Sequence, residues 1–591
     1  GGFPCLKELY VRKCPELTGD LPYHLPCLND LVIYECQKLR SSIPKVPHIC
    51  NVELNKCDSV MMNSVEGIMT SVVSLMSLSS LFIRKIPNLA CLPKGFLQFL
   101  PAIVELRIIS CPELTTLSNR IGLQHLTCIR RLEISKCPEL EELPGELHKV
   151  TTLQSLAIKE CPSLLRLPEA GLPPNITHLT IEDCEALESL PKNLLTSNTC
   201  LEMMEVIQCP ALTSLPEGDL PSTLIRLEIV NCTNIRSLPE GIMLNNSRKN
   251  RYGGSSSSPR KTALEKLYIS GCNSISDFPR GDLPDTLKIL KIWDCQKLQF
   301  LPERIMHYSR PLELLHIRCC SSLKTLPLTL LEAKSLVISY CENLECLPVG
   351  LHTLTSPSDL QIHGCSKLEY FPLGGLPTSL TCLQISDCAH LKSLPDAMYH
   401  LTSLQELHLQ NSPLIESIPE GGLPLNLTSF VIDKCNNLVP KNFWGLHGLS
   451  SLEYFEINGC ADLESFPEEW SLPSSLTSLK ISNLPNIRSL ERNGLHQLSS
   501  LKELNIWHCP NLQVIPAEWL PTSLSFLYIF DCPLLEKQCK RVNGKDWHKI
   551  SHIPSIIING EHCHLPTKAT HIPYFTAEST SRAQTSIPAT S

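Results

Sequence analysis

The chain has 591 residues, with 51 Lys and Arg against 59 Asp and Glu, and a formal net charge of −8. That balance does not suggest a broad nucleic-acid-binding surface. Hydrophobic residues at 42% exclude wholesale disorder, and no run reaches the ~18 apolar residues of a membrane span.

The chain opens Gly1-Gly2-Phe3-Pro4, without Met and without a signal-peptide pattern, and reads as a fragment of a longer product. Length alone suggests several domains, but one unit recurs from the start. Leu132-Glu133-Ile134-Ser135-Lys136-Cys137 returns as Leu179 to Cys184, Leu290 to Cys295 and Leu504 to Cys509. Beyond each Cys come apolar residues at steps of three and then Pro, as at Leu140, Leu143 and Pro144. Twenty-two copies follow this pattern, mostly 21 to 26 residues apart. That period lies in the leucine-rich-repeat window of about 20–29 residues.

Leu-x-Ile alternates with period two, so each unit carries a strand with one buried face. One such strand cannot close a core, and stacking the units pairs the strands in parallel over a continuous ridge. The reading is an α/β leucine-rich-repeat solenoid, a horseshoe with a parallel β-sheet on its concave face. Pro at the end of each unit resists helix. The convex face is therefore expected to hold irregular or 3-10 turns and few α-helices.

Of the 30 Cys, nineteen fill the repeat position between Cys14 and Cys532, where Ile86, Ser412 and Leu484 stand in the other copies. A small, weakly polar thiol suits a tight inward turn. Apolar residues at the same position argue against a metal or disulfide there, and unpaired thiols favour a reducing compartment.

Along the chain, the interval between Cys57 and Ile86 is long at 29 residues. A Ser-rich basic insertion, 245–261, interrupts an otherwise regular array and is expected to be a disordered surface loop. The array runs from 1 to 535. Residues 536–560 are expected to cap the last core, and 561–591, rich in Ser, Thr and Ala, to form a disordered tail.

No phosphate loop, H-E-x-x-H or G-x-S-x-G motif occurs. His562-Cys563-His564, with His548 and His552 upstream, matches no standard zinc spacing. No catalytic, cofactor-binding or metal-binding residue is assigned, and the chain is read as a non-enzyme. Function is placed instead on the outward residues flanking the strand Ile, which are rich in aromatics, the usual anchors of protein interfaces. Three zones stand out. Glu133, Glu182, Glu205 and Glu228 make an acidic stretch broken by Lys159. Tyr268, Lys291, Trp293, His316 and Arg318 make an aromatic–cationic stretch. Trp507, Tyr528 and Phe530 make an aromatic patch near the end of the array.

Three stretches resemble the C-terminal repeat region of plant coiled-coil nucleotide-binding leucine-rich-repeat (NB-LRR) disease-resistance proteins. They are Leu6 to Pro22, the Ser-Leu-Pro-Glu-Gly turns at Ser214 to Gly218 and Ser237 to Gly241, and the ending Cys532 to Glu536 followed by Trp547 to Pro554. The resemblance implies the sensing and autoinhibitory region of an intracellular immune receptor. Its partners would be a pathogen effector or a guarded host protein, with an intramolecular contact to a nucleotide-binding module. That module, absent from this chain, would bind ADP or ATP. The implied location is the cytoplasm, with the nucleus or a membrane surface as variants. Two other classes remain at this stage: an F-box ubiquitin-ligase adaptor and an extracellular receptor ectodomain.

Overall fold

The computed structural model describes residues 3–564, except 20, 23, 40–45, 58–75, 93–95, 118–122, 244–261, 303–311, 439–444, 462, 464, 467–471, 491–494 and 516–519. The insertion at 245–261 and the tail beyond 564 lie outside the described residues. The chain divides into two compact units, Gly1–Leu404 and Gln405–Ser591.

In the first unit, five-residue strands run from Glu8–Arg12 to Cys382–Ser386. Each pairs in parallel with the next, as Lys266–Ser270, Ile289–Trp293 and Leu314–Arg318 do. Equivalent positions align without slippage, Leu290 beside Leu315 and Ile292 beside Ile317. The second unit repeats the arrangement from Glu406–Gln410 to Phe526–Phe530. The expected parallel-strand leucine-rich-repeat solenoid is therefore present in each unit. The sequence dictates this locally. Leu290 and Ile292 are 0% exposed, while Ile289, Lys291 and Trp293 remain half-buried on the other face. A one-residue slip would expose the whole Leu/Ile ridge, and that cost holds the register.

The residue after each strand turns the chain inward through the left-handed region: Lys136 has φ 56° and Asp294 φ 51°. Its N–H still extends the sheet, donating from Asp294 to the Arg318 carbonyl at 2.9 Å. The Cys that follows then points into the core. Cys295 Sγ donates to the Trp293 carbonyl two residues back at 3.3 Å. Cys232 and Cys272 also reach carbonyls of the preceding strand, Val206 at 3.5 Å and Ile229 at 3.7 Å. The thiol combines apolar bulk with one weak donor for a carbonyl at the strand end. Ser412 fills the same role, its Oγ donating to the Gln410 carbonyl at 3.0 Å.

Among the described residues no disulfide is formed. Burial pushes Cys57, Cys272 and Cys388 up to about 11 and Cys161 and Cys295 up to about 12. The thiolate is the reactive form. A disulfide reagent at pH 8 is therefore expected to modify exposed Cys27, Cys128 and Cys346 within minutes. Buried Cys57, Cys161, Cys272, Cys295 and Cys388 should react only once urea unfolds the chain. Rapid native-state modification of Cys295, read by peptide mass, would contradict this packing.

The outer segments carry short 3-10 turns such as Leu147–Lys149 and Leu351–Thr353, and among the described residues of the first unit the α-helix Leu194–Ser197. After Cys532 the pattern changes. Pro533–Cys539 is helical, with Pro at its first position and Leu535 and Cys539 buried. A second short helix, Trp547–Ile550, buries Ile550. Strand Ser555–Ile558 then adds in parallel to Phe526–Phe530, with Ile556 beside Leu527 and Ile558 beside Ile529. Asn559 and Gly560, at φ 49° and 80°, form a two-residue turn into the antiparallel strand Glu561–His564. The first four residues of the segment read as a tail are thus an edge strand.

Candidate functional site

Three residues of each five-residue strand lie on the face away from the Leu/Ile ridge, at its first, third and fifth positions. The sequence reading took the third and fifth and passed over the first, where Arg226, Tyr454 and Phe526 stand. Strict alternation is the signal for them, because the first position has the same parity as the third.

The acidic stretch is charge-balanced by its neighbours. Arg107 bonds Glu105 at 2.6 Å and lies 3.5 Å from Glu133. Lys159 meets Glu182 at 3.1 Å. Arg226 pairs with Glu228 and lies 3.6 Å from Glu205. The Thr180 hydroxyl also donates to Glu205 at 3.2 Å. Glu205 and Glu228 are side by side in register, whereas Glu133 is two strands away from Glu182. A run of glutamates in sequence is therefore not a bare negative field in space.

The middle stretch comes together in three adjacent strands. Tyr268, Lys291 and His316 align in one row, and Trp293 and Arg318 in the next. Lys291 Nζ sits 5.2 Å from the Tyr268 ring centre and 5.1 Å from that of Trp293. Arg226 covers Tyr268 at 5.2 Å, and Arg318 lies 5.7 Å from Tyr340. Such contacts are worth about 0.5–1 kcal/mol each at partly exposed sites. Trp293 and His316 meet edge-on at 5.0 Å. The buried Trp293 Nε1 has no hydrogen-bond partner among the described residues.

Burial, reinforced by Lys291, Arg318 and His363, drives the His316 imidazole down to about 4. Its ring is therefore neutral at physiological pH. The Ser339 hydroxyl lies 3.4 Å from its Nε2. Because the folded value is below the ordinary 6.5, stability from this group is full above pH 6.5 and is lost as pH falls toward 4. With solvent screening of the half-buried ring, the loss is expected to be about 1 kcal/mol. Urea midpoints at pH 7 and pH 4.5 check this: His316→Gln should show the smaller acid drop. An equal drop would rule the contribution out.

In the second unit, Trp507, Tyr528 and Phe530 occupy adjacent strands, with Trp507 directly beside Phe530. Trp507 and Tyr528 centroids lie 5.4 Å apart, and Phe526, Tyr528 and Phe530 stack along their strand at 6.4 and 6.3 Å. Beside them, on the neighbouring strands, lies a group that sequence reasoning missed. Lys480 bonds Glu456 at 2.8 Å and lies 4.7 Å from the Trp507 ring centre. The Tyr454 hydroxyl donates to Glu456 at 2.6 Å, and burial raises the Tyr454 phenol well above its ordinary value.

Among the described residues no cluster of three His, Cys, Asp or Glu is placed to hold a metal ion, and no helix is long and apolar enough to cross a membrane. The surfaces offer aromatic faces, ion pairs and exposed cations, the chemistry of macromolecular contact.

No family model matches the chain. A disease-resistance protein of Arabidopsis thaliana is 35% identical over 217 residues, covering 35% of this chain and 15% of that protein. TMV resistance protein N of Nicotiana glutinosa is 32% identical over 110 residues, covering 18% of this chain and 9% of that protein. These curated relatives are plant disease-resistance proteins, and the chain spans 15% and 9% of their lengths. Among solved structures, the TLR13–ssRNA13 complex aligns with a TM-score of 0.45 at 16% identity, over 98% of this chain and 74% of that one. YopM, a leucine-rich effector protein from Yersinia pestis, aligns with a TM-score of 0.32 at 22% identity, over 60% of this chain and 82% of that one.

Proposed function

We propose that this chain is the sensing and restraining repeat region of an intracellular plant immune receptor of the nucleotide-binding leucine-rich-repeat class. The observation that carries the reading is the identity to plant disease-resistance proteins, 35% over 217 residues in one of them, in a solenoid whose outward rows hold aromatic and charged side chains. The outward rows take a pathogen effector, or a host protein that an effector has modified. Before that encounter the same array restrains a nucleotide-binding module through an intramolecular contact, and the module carries ADP or ATP. Inward repeat thiols such as Cys232, Cys272 and Cys295, buried in the core, fit the reducing cytoplasm.

Sequencing the complete transcript tests this directly. A phosphate-loop ATPase module upstream of Gly1 is the expected result. A secretory signal or an F-box in its place would overturn the reading. With the module present, co-expression of the full-length protein and candidate effectors in leaves should give cell death for a matching effector. Trp293→Ala with Arg318→Ala in the full-length protein is expected to reduce that response.

A further inference from the structure

We propose that the outward face of strands Lys266–Ser270, Ile289–Trp293 and Leu314–Arg318 binds an acidic, extended segment of a partner protein, whose carboxylates meet Lys266, Lys291 and Arg318. The inference rests on the reading of this chain as a protein-recognition region, and it adds the chemistry of the partner.

Three cations stand on three adjacent strands, and none makes an ion pair with a described residue. The outward rows of these strands and of the next, Ser335–Ser339, contain no carboxylate. Between residues 105 and 230 most cations of the same rows behave differently: Arg107, Lys159 and Arg226, though not Arg131, are each bonded to glutamates of the face. The fold thus neutralises one stretch internally and leaves the neighbouring one positive. His316, at the centre of the patch, feels Lys291, Arg318 and His363 as its charged neighbours.

The patch is also preorganised. Lys291 is held between Tyr268 and Trp293, so part of the ordering cost of its long side chain is met before a partner arrives. The aromatic rings give apolar residues of the incoming segment a floor to lie on. Lys266, Lys291 and Arg318 stand at the first, third and fifth positions of successive strands. Each step therefore crosses about 4.8 Å and advances about 7 Å, roughly 8 Å in all, near the ~7 Å between alternate residues of an extended chain. Isolated exposed ion pairs are weak. The face therefore selects a segment with several carboxylates over one with a single acid.

The test uses the purified 591-residue chain and a fluorescein-labelled twelve-residue peptide of alternating Glu and Ala, read by fluorescence anisotropy. The expected result is binding that weakens as salt rises from 50 to 300 mM. Lys291→Glu with Arg318→Glu should weaken it at least tenfold. Arg166→Glu, on the lateral surface and paired to Glu188, should change it less than twofold. If the double reversal fails to fold by circular dichroism, Lys291→Gln with Arg318→Gln should still weaken binding at least threefold. Undiminished binding by either double variant would overturn the proposal. So would tighter binding of a Lys–Ala peptide or of single-stranded oligouridylate. This measurement reads the face alone, whereas the transcript tests the immune reading, so either can fail without the other.

Discussion

Phe455→Ala is expected to lower the free energy of unfolding by about 4 kcal/mol, the usual cost of emptying a buried Phe site. Phe430 and Phe455 fill the inward strand position that Leu fills in most units. Both are 0% exposed, and they lie opposite one another in register. Their ring centroids are 5.7 Å apart at 36°, a tilted contact worth about 0.5–1.5 kcal/mol beyond the area it buries. In a solenoid each strand packs only against its neighbours, so the void would sit at a junction that no distant element can fill. Phe455→Leu restores the usual residue and should cost about 1 kcal/mol. Urea unfolding followed by Trp fluorescence measures both. Equal midpoint shifts for the two variants would show that the ring site contributes no more than a methyl group.

Lys480→Met is expected to cost about 3 kcal/mol, and more than Glu456→Leu with Lys480→Met together. The Lys480 and Glu456 side chains are only 15% and 10% exposed, with Nζ 2.8 Å from the carboxylate. Removing the ammonium alone leaves a buried charge with Tyr454 as its remaining strong donor. Removing both leaves an apolar site, which is far cheaper. A double-mutant cycle reads the coupling, and simple additivity of the two single changes would refute it. Because Lys480 also lies under Trp507, its loss should let that ring move, visible as a shift in Trp emission.

Much of the fold was legible in the chain. Leu-x-Ile alternation, the recurring Cys and the Pro-ended unit pointed to parallel strands, inward thiols and short outer turns. Ser412 shows how close that reading came. It breaks the Cys pattern yet keeps the donor that the turn uses. The candidate zones were legible in part. Tyr268, Lys291, Trp293, His316 and Arg318 do share one face. Arg226 was missed because only two of the three outward positions were considered, and without it Glu205 and Glu228 looked unopposed. The hairpin at the end was also readable, since Asn559-Gly560 supplies two residues suited to φ > 0 between short strands.

The sequence by itself determined which residues face the core, because period-two burial is a property of the strand backbone and needs no partner to be read. Tertiary structure decided which outward charges remain available. Glu182 and Lys159 are 23 residues apart in the chain yet 3.1 Å apart in space, because stacking places equivalent positions of successive units side by side. Electrostatic character depends on those distances between repeats. Hence the glutamate stretch is largely neutralised, while Lys266, Lys291 and Arg318 make no ion pair with a described residue.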